Sequence, residues 1–241
     1  MTFLRLSVSL LACTVFGLFA SAARADQVFV TPGGSTTSGG AVSAKVTFSQ
    51  SGNILTVTLQ NLQGQVSNYD VAQSLSGLGF SVAGAGTAAL SQHGEHITIA
   101  GDGSYLSAGD GNTFWGFPIN GGGNFKLTAL GFASPGKLPS DELVVGPPNG
   151  SNLYTGNGSI NNNAPHNPFI KQTVTFTLTF ASLPANAQIS NVVFYFGTNE
   201  GNTEQVPGGP SSVPEPASMF LLGIGLVGIA TALRRRRRQA S

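Results

Sequence analysis

The sequence predicts an all-β body, an antiparallel β-sandwich of jelly-roll-like order, followed by a C-terminal transmembrane helix. Three observations predict it. Apolar residues recur at every second position in several segments, no amphipathic helical stretch of ten residues occurs between the two ends, and one uncharged apolar run stands near the C-terminus. A period of two gives an extended strand one dry and one wet face, which no helix can do.

The chain opens with a short basic segment, Met1 to Arg5, then the apolar stretch Leu6 to Ala20 and the small-residue site Ala23-Arg24-Ala25 before Asp26. This order is that of a secretory signal peptide, residues 1–25, with Ala23 and Ala25 marking the cut. It implies the Sec translocon and a signal peptidase as partners. Leu10-Leu11-Ala12-Cys13 is the competing lipoprotein reading, but the apolar segment before Cys13 is too short and the run continues past it. The only cysteine then leaves with the signal, so the mature chain has no disulfide and no thiol chemistry.

Residues 26–202 are expected to form one sandwich ectodomain, long enough for a core of its own. Val42, Ala44, Val46 and Phe48 alternate with Ser43, Lys45, Thr47 and Ser49, and after Gln50-Ser51-Gly52-Asn53 the alternation resumes as Leu55, Val57 and Leu59. That is a hairpin with a glycine in its turn. The clearest strand runs from Thr173 to Phe180, with Val174, Phe176, Leu178 and Phe180 on one face and four threonines on the other. Val192 to Phe196 is a continuous apolar run, short enough for a central strand. Further strands are expected at Phe80–Ala83, His96–Ala100, Thr113–Phe117, Phe125–Phe132 and Leu143–Val145. Long loops are expected at Gly101–Asn112 and Gly146–Pro168. Residues 203–212, rich in Gly, Pro and Ser, read as a flexible linker.

The charge of the body narrows its function. Lys45, Lys126, Lys137 and Lys171 face nine acids, a net of −5 that the overall +1 conceals. Such a surface argues against nucleic acid, which needs clustered Lys and Arg. His93, Glu95 and His96 form H-G-E-H, the one place where metal-type side chains crowd. On a strand, His93 and Glu95 share a face while His96 points away, so no metal site is assigned. Asp102 and Asp110 beside glycines suit turns; calcium would use such groups, but the D-x-[DN]-x-[DN]-G spacing is missing. Gly79-Phe80-Ser81-Val82-Ala83 lacks the last glycine of a nucleophile elbow. Asp141-Glu142 is the only adjacent carboxylate pair, and paired carboxylates are what glycoside hydrolysis requires. Phe114-Trp115-Gly116-Phe117 holds the only tryptophan, and Trp115 and Phe117 are the residues that could stack on a sugar, with core packing as the ordinary alternative. No catalytic residue, cofactor or metal is assigned.

The C-terminus has three parts. Val213-Pro214-Glu215-Pro216 precedes a seventeen-residue apolar run, Ala217 to Leu233, and then Arg234, Arg235, Arg236, Arg237 and Arg238. At ~1.5 Å per residue the run reaches ~25 Å as a helix, near the ~30 Å of a bilayer core. The arginines act as a stop and fix their side as cytoplasmic, which places the body outside. This arrangement, residues 213–238, resembles the PEP-CTERM sorting signal of Gram-negative bacteria. The resemblance implies recognition by an exosortase at Pro214-Glu215-Pro216, cleavage nearby and passage to the cell surface. The stretch from Asn167-Pro168-Phe169 to Phe196-Gly197-Thr198 also looks like the last part of ectodomains found in such precursors, and it lends no catalytic residues.

The expected function is therefore that of an exported, non-enzymatic surface or biofilm-matrix protein, held in the inner membrane and then cut. The alternative is a module that binds exopolysaccharide through exposed aromatics; a secreted hydrolase is weaker still. These alternatives separate on whether Trp115 is exposed and whether acids converge in a cleft.

Overall fold

A computed structural model describes residues 26–65, 69–132, 141–161, 166–199 and 201–211. The signal peptide with Ala23 and Ala25, the sorting residues Val213 to Pro216, the apolar run and Arg234 to Arg238 all lie outside the described residues, and with them the expected membrane helix. Among the described residues no helix is long and apolar enough to cross a membrane.

In chain order the strands are β1 (Gln27–Val30), β2 (Thr36–Thr37), β3 (Gly40–Ala41), β4 (Ala44–Ser51), β5 (Ile54–Asn61), β6 (Leu75–Val82), β7 (Ala88–Ile99), β8 (Tyr105–Asn112), β9 (Gly116–Gly121), β10 (Asn124–Thr128), β11 (Val144–Val145), β12 (Phe169–Phe180), β13 (Ile189–Phe196), β14 (Gln205–Pro207) and β15 (Gly209–Pro210). Two leaves emerge from their pairing. The first runs β8-β7-β12-β5-β4-β1-β15 and the second β9-β10-β6-β13-β14, while β2 and β3 form a separate small ribbon. Local hairpins account for β4–β5, β7–β8 and β9–β10; β12 returns from far along the chain to lie between β5 and β7.

The leaves are joined at both corners. Val144 of β11 pairs in parallel with Ile170 of β12 and antiparallel with Leu75 of β6, so β11 belongs to both leaves. At the other corner a single residue, Gly208, separates β14 on β13 from β15 on β1. A strand that changes sheet makes the corner of a sandwich. Here it also brings the hydrogen-bonded path back to its start, so the expected two-layer sandwich has a continuous ladder around its waist. Gly208 is required there: a Cβ would come within 2.9 Å of the Phe194 ring and of Val192 Cγ1.

Alternation built this core as the sequence predicts. Ala44, Val46 and Phe48 are buried on β4, Leu55, Val57 and Leu59 on β5, and Val174, Phe176, Leu178 and Phe180 on β12. Aromatic rings tie the leaves together. Phe29 meets Phe48, Phe48 meets Phe80 across the gap at 5.1 Å, Phe80 stacks on Phe125, and Phe125 meets Phe180 edge-on at 5.3 Å. Each such pair adds roughly 0.5–1.5 kcal/mol beyond the ~1.5–3 kcal/mol of burying a large apolar side chain. One polar hub sits inside: the Asn61 amide donates to the Tyr69 hydroxyl, Gln73 O and Val144 O, and its oxygen accepts from Gln63 N. A buried amide with its groups so occupied fixes one arrangement of β5, β11 and the turn at Val71–Gln73.

Several expectations are corrected. Gly101–Asn112 is not a long loop: after the turn at Gly101–Ser104 it is strand β8, whose ladder to β7 makes up for its lack of apolar alternation. Thr113 to Trp115 lie outside any strand, and β9 begins only at Gly116. The strand expected to Phe132 stops at Thr128. Val192–Phe196 is a central strand as expected, β13 being paired by β6 on one side and β14 on the other, with buried and half-buried positions alternating along it. The linker expected at 203–212 is, up to Ser211, part of the fold: Val206 and Glu204 are buried, and Ser211 N donates to Val28 O at 2.8 Å. The body thus continues past residue 202 at least as far as Ser211. The described part of the Gly146–Pro168 loop is irregular yet anchored by fully buried Tyr154 and Ile160.

Candidate functional site

The outer face of the first leaf is interrupted where β8, β7 and β12 lie side by side. The register of β12 against β7 slips between Ile170 and Val174, and that of β8 against β7 slips between His96 and Ile97. Both are bulges, and Gln172 within the first adopts a left-handed backbone at φ 58. Bulges bend a strand and re-aim its side chains. Gly94 makes the crossing feasible, since a Cβ there would stand 2.8 Å from Ile170 Cγ2 and 3.3 Å from Thr173 O.

The result is a depression of about 580 Å³ lined by His93, Glu95, Ser107, Asp110, Lys171 and Thr175 among others. His93 and Glu95 share this face, as their spacing predicts. Asp110 and Glu95 are directly opposed across the β7–β8 ladder. Like charges so placed repel, and each carboxylate has a compensating partner. His93 Nδ1 lies 3.1 Å from Asp110 Oδ2. Lys171 Nζ donates to Glu95 Oε1 at 3.4 Å and sits 5.0 Å above the Tyr105 ring, while Ser107 Oγ donates to the same Glu95 oxygen at 2.8 Å. Burial pulls the Lys171 ammonium down, but the Tyr105 hydroxyl and the Glu95 carboxylate outweigh it and hold it above the ordinary lysine value.

His96 turns the other way. Its Nε2 lies 3.1 Å from Glu142 Oε1; the other Glu142 oxygen accepts from Phe114 N, and Glu142 O accepts from the Trp115 indole N–H at 3.0 Å. Glu142 is buried and adopts φ 60. Its carboxylate is engaged in holding the 113–115 segment against the core, and Asp141 beside it is buried as well. The adjacent pair therefore does not face a cleft.

Trp115 is 3% exposed and packs its ring on Phe176 at 5.3 Å. Phe117 is half-buried and stacks on Phe125. Trp115 is therefore not available as a platform for a sugar: its ring faces the dry interior, where its area is worth most, while half-buried Phe117 packs against the edge of the core. Among the described residues no group of three or more His, Asp or Glu stands close enough to hold a metal ion. The grouping of Asp110, Ser107 and Lys171 around His93 and Glu95 escaped sequence reasoning. The one available signal was that two charged residues at spacing two on β7 needed opposite charge on the neighbouring strands.

Residues 212–238 match the family model of the PEP-CTERM protein-sorting motif. No curated protein and no solved structure matches the chain. The chain thus carries the sorting signal of an exported protein at its C-terminus, with the described body on its N-terminal side.

Proposed function

We propose that this is a non-enzymatic surface or extracellular-matrix protein, exported by Sec, trimmed by signal peptidase after Ala25, held in the inner membrane by residues 217–233 and cut by an exosortase at or beside Pro214-Glu215-Pro216. The observation that carries the reading is the sorting motif at 212–238, set directly against the end of the fold. Strand β1 begins at Gln27, two residues after the expected signal cut, and Ser211, just ahead of the motif, still donates its N–H to Val28 O. Cuts at both ends would therefore leave every strand of the sandwich in place. Topology agrees: β1 pairs with β15, so the segments leading to both expected membrane stretches depart from neighbouring strands.

A non-enzymatic body is favoured by the setting of its acids. A general acid of a glycosidase needs an apolar pocket that keeps it protonated. Buried Glu142 is engaged in structural hydrogen bonds, and Glu95 and Asp110, which face each other on the surface, are exposed in part or whole and paired with Lys171 and His93. The test is the intact mass of the protein from the medium and surface of its host, with and without the exosortase. The expected product lacks residues 1–25 and the arginine tail, and only when the exosortase is present. An arginine tail retained in both strains would refute exosortase processing.

A further inference from the structure

The depression on the first leaf has no part in sorting, and its chemistry points to a ligand. It combines acceptors and donors in matched pairs: Asp110 with His93, and Glu95 with Lys171 and Ser107. A phosphate or other anion would meet two carboxylates, with the single lysine already engaged by one of them. A metal ion would be opposed by Lys171, and no trio of acidic or histidine ligands converges there among the described residues. A neutral polyhydroxyl compound meets neither difficulty. Each of its hydroxyls can donate to a carboxylate and accept from the neighbouring ammonium, imidazole or hydroxyl, so neither member of a charge pair is stripped of a partner.

Size and backbone agree. Its volume, about 580 Å³, lies within the ~300–1,000 Å³ usual for small-molecule sites. Gln172 holds a left-handed conformation within the β12 bulge, a strain of order 1–3 kcal/mol of the kind that clusters at functional positions. We infer that the depression formed by β7, β8 and the β12 bulge binds a neutral saccharide. This goes beyond the proposed function and holds whether or not the tail is cut, because its residues lie on β7, β8 and β12, at the opposite side of the leaf from β15.

The test is affinity electrophoresis of the full-length protein in a sugar-free non-ionic detergent. Native gels would be cast with dextran, with galactomannan, with the host's own neutral extracellular polysaccharide, or with none. Retardation is expected in at least one neutral polysaccharide. Asp110→Asn and Thr175→Trp, the second of which fills the depression, are expected to weaken it about tenfold, the effect of losing one charge-assisted hydrogen bond, with the thermal midpoint of each variant unchanged. A second depression of about 750 Å³, lined by Ser81, Asn124 and Asn191 at the end of the second leaf, supplies the control. Asn124→Ala is expected to bind as the parent does. The inference is overturned by any of three results: no retardation in any neutral polysaccharide, equal retardation of parent, Asp110→Asn and Thr175→Trp, or a loss confined to Asn124→Ala.

Discussion

The two edges of the first leaf have been built by opposite means. At one edge, β1 and β15 join residues from the start and the end of the body, and the ladder passes on through Gly208 into the second leaf. At the other, β8 pairs among the described residues only with β7, and the surface beside it is broken by two bulges and populated with charges. The closed edge carries buried apolar side chains such as Val206 and Phe29. The open edge is solvent-exposed along most of β8 and rich in chemistry. The difference teaches that in this sandwich stability and recognition are kept apart across the width of one sheet. A glycine is used at the closed edge for tight approach, and at the open edge to let a strand step out of line.

That contrast can be broken by substitution. The largest effect is expected at the seam from Val206→Asp, which places an unpaired carboxylate where the side chain is 6% exposed; a loss of about 3 kcal/mol or more should appear in denaturant unfolding. Asn61→Ala at the hub takes a donor from Val144 O, an acceptor from Gln63 N and one of two donors from Gln73 O, and should cost about 2–3 kcal/mol by the same measurement. Gly208→Ala forces a methyl against Phe194 and Val192, with an expected loss of about 1–2 kcal/mol. At the open edge, Asp110→Asn should change stability by less than about 0.5 kcal/mol, because the ion pair with His93 is exposed on both sides. A loss there as large as at Val206 would erase the contrast.

The smallest expected effect is on pH dependence. Lys171 is held above the ordinary lysine value in the fold, so the folded chain keeps its proton longer than the unfolded one. Its contribution is complete below the unfolded lysine pKa of about 10.4 and is lost as pH rises through the folded value. Lys171→Met should therefore flatten the alkaline limb of the stability profile and leave the neutral region nearly unchanged. An unaltered alkaline limb would show that the link to Glu95 and Tyr105 is not maintained in solution.

How much of this was legible depended on which force fixed each element. The strands β4, β5 and β12 bury one face, and burial writes a period of two into the sequence. The same period told His93 and Glu95 from His96. Strand β8 buries almost nothing: Ser107 to Asn112 has no apolar residue on either face save Ala108, so only its hydrogen bonds to β7 make it a strand. For β14 and β15 composition pointed the wrong way. Pro207 and Pro210 read as linker residues, but a strand with one bonded side tolerates proline. Trp115 was ambiguous for another reason, since an aromatic cluster has the same letters whether its rings face water or the interior. The pairing of Asp110 with His93 and of Lys171 with Glu95 depends on bulge positions, which no local pattern records. The sorting motif was legible because its recognition is linear.

One feature has mechanical meaning. The chain leaves the fold from β15, a two-residue strand pairing with β1 beside the corner at Gly208. Under the proposed C-terminal anchoring, tension between the C-terminus and a grip on the opposite edge would load the bonds of β15 one at a time, as in a zipper, instead of all together. Release of residues 209–211 would pay out about 10 Å of slack at ~3.3 Å per residue before buried Val206 and the aromatic core bear load. In a force-extension trace this would register as a short, low-force step ahead of the main rupture. The body's last strand then works as a compliant leash, yielding first and re-forming when the pull relaxes.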